Sequence, residues 1–131
     1  MEESLIRQYN GLSLAYLGDS VLDLMVKDRI VRSCRMQPKE YHKKVSLIVC
    51  AKNQSLYIDK YLDDLSEEEK DIYLRGRNSN VYTKAKNASL AEYKQATGFE
   101  AVIGYLYLKK DQKRLEEIVN VLYELGDNSE I

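Results

Sequence analysis

Only one proline and six glycines interrupt the 131 residues, roughly 5% of the chain against an average usage near 12%. So few breakers argue against an all-β sandwich or a loop-stapled miniprotein and point to long helices. Two cysteines, Cys34 and Cys50, are too few for a disulfide scaffold and lack the paired spacing of a zinc site. The single histidine, His42, excludes a multi-histidine metal centre and argues against a histidine-based triad. No apolar run approaches the roughly 18 residues of a membrane span, so no membrane association is expected. No basic stretch followed by an apolar one opens the chain, so no secretory signal is visible and a cytoplasmic protein is expected. Excess charge is missing too. Twenty Lys and Arg against 21 Asp and Glu leave a net charge of -1, so any nucleic-acid site must be a local patch.

What is present suits a folded enzyme-sized unit. Hydrophobic residues make up 44% of the chain, enough for a packed core, and charged residues 31%, enough for a solvated surface. The length fits a single domain over residues 1–131. Pro38 reads as the first residue of a helix, where its missing N–H does no harm. Ser66 with Glu69, and Ser89 with Glu92, fit the capping box. Gly126 reads as a helix stop. These signals predict helices near 2–9, 13–33, 38–64, 66–75, 89–110 and 112–125, with no strand, repeat or flexible linker. The fold class is all-α.

Charge is unevenly spread. Residues 27–44 carry a local +5, residues 60–71 a local -4, and residues 72–94 a local +4. The basic groups of the last stretch include Arg75, Arg77, Lys84 and Lys86. A charged run is usually a solvated helix face. Arg75-Gly76-Arg77-Asn78-Ser79-Asn80 is more specific, because two guanidiniums flank a glycine and small polar side chains follow. Read as a loop between helices, it suits phosphate and ribose hydroxyl contacts by Arg75, Arg77, Asn78 and Ser79.

Two carboxylates stand in apolar company. On a helical wheel, Leu14, Leu17, Val21, Leu24 and Met25 form one apolar stripe. Ala15, Leu22, Val26 and Ile30 form a second face, and Asp19 falls in its middle. A helix apolar on two faces packs on two sides, against its own core and a partner chain. Asp19 is therefore expected to be poorly solvated, and Asp23 lies one turn on, close to the same face. Glu100 repeats the pattern on the 89–110 helix, among Ala96, Thr97, Ile103 and Gly104. Gly18, Gly98 and Gly104 would let the two helices approach closely. Two converging carboxylates without a basic partner would need a hard cation. Mg²⁺ fits, being commonly held by one or two carboxylates with several waters. The plain alternative is that each acid is separately salt-bridged to a lysine or arginine.

Leu14-Ala15-Tyr16-Leu17-Gly18-Asp19-Ser20-Val21-Leu22 and Phe99-Glu100-Ala101-Val102-Ile103-Gly104-Tyr105-Leu106-Tyr107-Leu108 resemble the two signature helices of the ribonuclease III catalytic domain. Their order and their separation of about 80 residues match, and the resemblance runs from roughly Leu12 to Leu125. The chain resembles most the short branch, Mini-ribonuclease III, which lacks a double-stranded-RNA-binding domain. Full-length members carry acids where this chain has Ala15 and Thr97, and the short branch is similar in lacking them. The Arg75 to Asn80 segment also resembles that branch.

The resemblance implies a ribonuclease III-like helical bundle and a homodimer that cleaves double-stranded RNA with Mg²⁺. Asp23 is our own candidate for an auxiliary, outer-shell carboxylate; Asp19 and Glu100 are the only positions that the resemblance carries over as catalytic metal ligands. Its implied substrate is precursor 23S ribosomal RNA, and a ribosomal protein that presents the RNA is a candidate partner. Two rivals remain at this point. One is a non-catalytic ribonuclease III-fold protein with a structural role on the ribosome, against which the retained acids count. The other is a helical adaptor that binds protein through its 11 tyrosines.

Overall fold

Asn10, Ser66 and Ser89 each accept a hydrogen bond from the backbone N–H three residues on, at 2.8, 3.1 and 3.0 Å, and so fix where three helices begin. At Ser66 and Ser89 the glutamate of the box returns the bond to the cap's own N–H, as the sequence predicts. The computed structural model describes residues 1–79 and 88–128. Its helices are α1 (Glu3–Ile6), α2 (Gly11–Ser33), α3 (Pro38–Val49), α4 (Ala51–Tyr61), α5 (Glu67–Arg77), α6 (Leu90–Lys109) and α7 (Gln112–Asn128), with a 3₁₀ turn over Leu62–Asp64. No strand occurs among the described residues, and the fold is all-α. None of these helices is long and apolar enough to cross a membrane.

The long helix expected over 38–64 is two helices and a turn. It breaks at Cys50, whose backbone is extended (φ -65°, ψ 155°) although no proline or glycine stands nearby. Side chains from the next turn compensate for the lost helical bonds. The Asn53 amide donates to the Ile48 carbonyl at 2.8 Å and the Gln54 amide to that of Val49 at 2.7 Å. Asn53 also donates to the Leu122 carbonyl at 3.1 Å, docking α7 on the kink. Gly126 does not stop α7. It lies inside that helix because a Cβ there would press on Ile48.

α6 runs through the centre, against α2, α4, α5 and α7. Its residues Ala101 to Leu106 are all buried, so it is apolar around its circumference. α2 lies across it and buries Leu14, Ala15, Val21, Leu22, Val26 and Ile30. These form one arc centred on Gly18 and Leu22 rather than two separate faces. Tyr16 and Leu24 fall outside the arc and are 84% and 69% exposed. Asp19 sits at the edge of the arc and is exposed, not desolvated as its place on the wheel suggests.

Candidate active site

The site begins with two missing side chains. A Cβ on Gly18 would strike the Glu100 carbonyl oxygen, and one on Gly104 would strike the carbonyl of Leu14. α2 and α6 therefore touch backbone to backbone. Asp19 follows Gly18 and Glu100 starts the facing turn, so the crossing places both carboxylates at one pocket. Gly98 serves a different contact from the one expected of it. It and Gly76 let α5 pack on α6, since a Cβ on Gly98 would meet Tyr73 and one on Gly76 would meet Gly98.

The pocket measures about 390 Å³, and Tyr16, Asp19, Gln54, Tyr93, Thr97 and Glu100 supply its polar lining. Ala15 also lines it and offers no oxygen. The Thr97 hydroxyl donates to the Tyr93 carbonyl at 3.0 Å, back onto its own helix. Burial pushes the Glu100 carboxyl up to about 8, and the charge of Asp19 and a hydrogen bond with it add to the shift. Gln54 opposes it by donating from Nε2 to Glu100 Oε2 at 3.2 Å.

No lysine or arginine pairs with Asp19 or Glu100 among the described residues, so the separate-salt-bridge alternative is not what the fold contains there. Nor do three or more His, Cys, Asp or Glu side chains cluster as a ready-made metal site among those residues. The donor set is two carboxylates with neutral oxygens around them. That set fits a small hard cation that keeps most of its water.

Asp23 is not in the pocket. Its carboxylate pairs with Lys27 at 2.8 Å on the outer side of α2. The segment read as a loop from Arg75 is largely helix, because Arg75, Gly76 and Arg77 form the last turn of α5. The Arg75 guanidinium donates to the Arg7 carbonyl and to Asp71 at 3.3 Å, tying the end of α1 to α5. Arg77 and Asn78 are exposed and bonded to each other at 3.2 Å. The Ser79 hydroxyl donates to the Arg75 carbonyl at 2.7 Å. Asn80, Lys84 and Lys86 lie outside the described residues. Gln54 was not among the residues singled out from sequence. The available signal was the polar trio Asn53-Gln54-Ser55, all buried, directly after the kink.

A second concavity, about 920 Å³, lies between α2 and α7, with Leu17, Leu24, Met25, Tyr107 and Val119 among its lining.

Comparison with known proteins places this geometry. The family model for the ribonuclease III domain matches residues 12–111. A Mini-ribonuclease 3 of Enterococcus faecalis is 39% identical over 127 residues, covering 95% of this chain and 96% of that protein. One of Clostridium tetani is 42% identical over 125 residues, covering 95% and 83%. A crystal structure of a Fusobacterium nucleatum protein superposes with a TM-score of 0.83 at 36% identity, covering 91% of this chain and 95% of that one.

Proposed function

The chain belongs to the ribonuclease III family and is an endoribonuclease; from that premise we propose that it cleaves double-stranded RNA, with Mg²⁺ held by Asp19 and Glu100. One observation carries this reading: the Gly18–Gly104 crossing brings two carboxylates together with no cation from the described residues to balance them. When bound, Mg²⁺ lowers the pKa of a water and neutralises charge building on a phosphodiester. The chain's own residues do the rest. Exposed Asp19 meets the substrate side, while partly buried Glu100 is held from behind by Gln54. Val49, Ala51 and Ala96 wall the pocket with apolar surface, which lowers the local dielectric and strengthens the hold of the acids on a cation. No side-chain nucleophile is needed. Asp23, outside the pocket and paired with Lys27, is not a metal ligand in this reading.

RNA contacts in this reading come from exposed Arg77 and Asn78 at the end of α5, with Lys84 and Lys86 of the same basic stretch as further candidates, while the Arg75 and Ser79 side chains are spent on main-chain carbonyls. The active form is a homodimer in which the α2–α7 groove and exposed Leu24 meet a second chain, giving one site per RNA strand. Residues 1–131 act as one catalytic domain in the cytoplasm on precursor 23S ribosomal RNA, with a ribosomal protein that presents the RNA as candidate partner. The test is incubation with structured RNA with and without Mg²⁺. Discrete 5′-phosphorylated fragments that need the metal are expected, and intact RNA in both samples would overturn the proposal.

A further inference from the structure

Gln54 is 2% exposed yet lines the pocket that holds Asp19 and Glu100. Both of its N–H groups are committed, one to the Val49 carbonyl at 2.7 Å and one to Glu100 Oε2 at 3.2 Å. Turning the amide round would set its oxygen against the Val49 carbonyl and lose the shorter of the two bonds. Its Oε1 is buried without a partner, the only such side-chain atom among the described residues. A buried acceptor left unpaired is destabilising, so a glutamine needed only to cap Val49 is a poor choice at this position. Asn53, one residue earlier, shows what plain capping looks like: its two bonds both go to main-chain carbonyls.

Besides its two acids and Gln54, the pocket's polar lining is the Tyr16 and Tyr93 phenols and the Thr97 hydroxyl, whose proton goes to the Tyr93 carbonyl, and Ala15 offers no oxygen. A carboxamide oxygen suits a hard hydrated cation better than a phenol does. We propose that Gln54 is a positioning residue of the metal site, its amide fixing the Glu100 carboxylate toward Asp19 and its Oε1 serving as a neutral acceptor for the hydrated cation. The inference rests on the metal reading above. It also gives the kink at Cys50 a purpose: the break frees the Val49 carbonyl, and only then can Gln54 span from that carbonyl to α6.

The test uses the full chain without RNA. Gln54→Met keeps the volume and removes both donors and the acceptor. Its Mn²⁺ affinity, measured by electron paramagnetic resonance, is expected to fall about 10- to 100-fold, the usual effect of losing a group that orients a metal ligand. A purely structural glutamine would lower the melting temperature and leave the Mn²⁺ affinity of the folded protein unchanged. An affinity within twofold of wild type overturns the inference. A second measurement needs no variant: the Gln54 side-chain amide signals in ¹⁵N-labelled wild-type protein should shift during a Mg²⁺ titration. If amides beside Asp19 respond while those of Gln54 do not, the role of Gln54 falls and the metal site stands. If nothing responds, both fall.

Discussion

Gly18 of α2 packs directly on the main chain of Glu100 in α6, with no room for a Cβ between them. The geometry of the candidate site follows from that contact, because Asp19 rides on one side of the crossing and the Glu100 side chain on the other. In an open helix, Gly→Ala gains up to about 1 kcal/mol. Here the sign reverses. Gly18→Ala is expected to cost about 3 kcal/mol or more, since the atom it strikes is backbone and cannot swing aside. Thermal or urea unfolding checks this, and a variant as stable as wild type would mean that the helices cross elsewhere.

Asp19→Asn should abolish RNA cleavage and leave the proposed dimerisation and duplex-RNA binding largely intact. Asp19 is exposed at the pocket mouth, so the change removes a charge from the site without disturbing the core. Glu100→Gln should behave alike in the cleavage assay. Activity within about tenfold of wild type at ordinary Mg²⁺ would remove Asp19 from the chemistry.

Stability of the metal-free protein should depend on pH through Glu100. Its carboxyl lies near 8 in the folded chain, against 4.5 for an ordinary glutamate. Between those values the folded state holds a proton that the unfolded chain has released, so this group's contribution falls as pH rises. Glu100→Gln removes the effect. In chelator, the variant is expected to gain stability relative to wild type as pH moves from about 5 to 8. A difference that is flat with pH would show that the Glu100 carboxyl is not raised.

Arg75 and Arg77 should separate cleanly. Arg75 bonds the Arg7 carbonyl, so Arg75→Ala is expected to cost about 1 kcal/mol of stability. Arg77 is exposed, and Arg77→Ala should move stability by less than about 0.5 kcal/mol. If Arg77 grips phosphate, its loss weakens duplex binding and flattens the slope of log K against log salt by about one unit. An unchanged slope would shift the RNA surface toward the basic run over residues 27–44.

Leu24 is 69% exposed beside the α2–α7 groove, and Leu24→Glu is expected to convert the proposed homodimer to monomer with little loss of fold. Light scattering at micromolar concentration reads the mass directly. A wild-type monomer under those conditions would contradict the dimer.

The sequence by itself determined the helical class, most helix starts, the identity of both acids and the need for close approach at Gly18 and Gly104. These are local matters: caps act within one turn, and a motif carries its acids and glycines together. It also led to misplacements, each for a tertiary reason. Asp19 looked buried on a wheel, which shows direction but not how far the packed arc extends, and the crossing leaves it at the edge. The 38–64 helix looked continuous because nothing local breaks it. Asn53 and Gln54 satisfy the freed carbonyls of Ile48 and Val49 locally, but their second bonds need α7 and α6 to receive them. The arginines after Asp71 looked like a loop around glycine, but Gly76 continues the helix because α6 needs its missing side chain. That Asp19 and Glu100 could meet where two helices cross was written in the chain. That Gln54, 46 residues from Glu100, reaches its carboxylate was decided only when four helices packed.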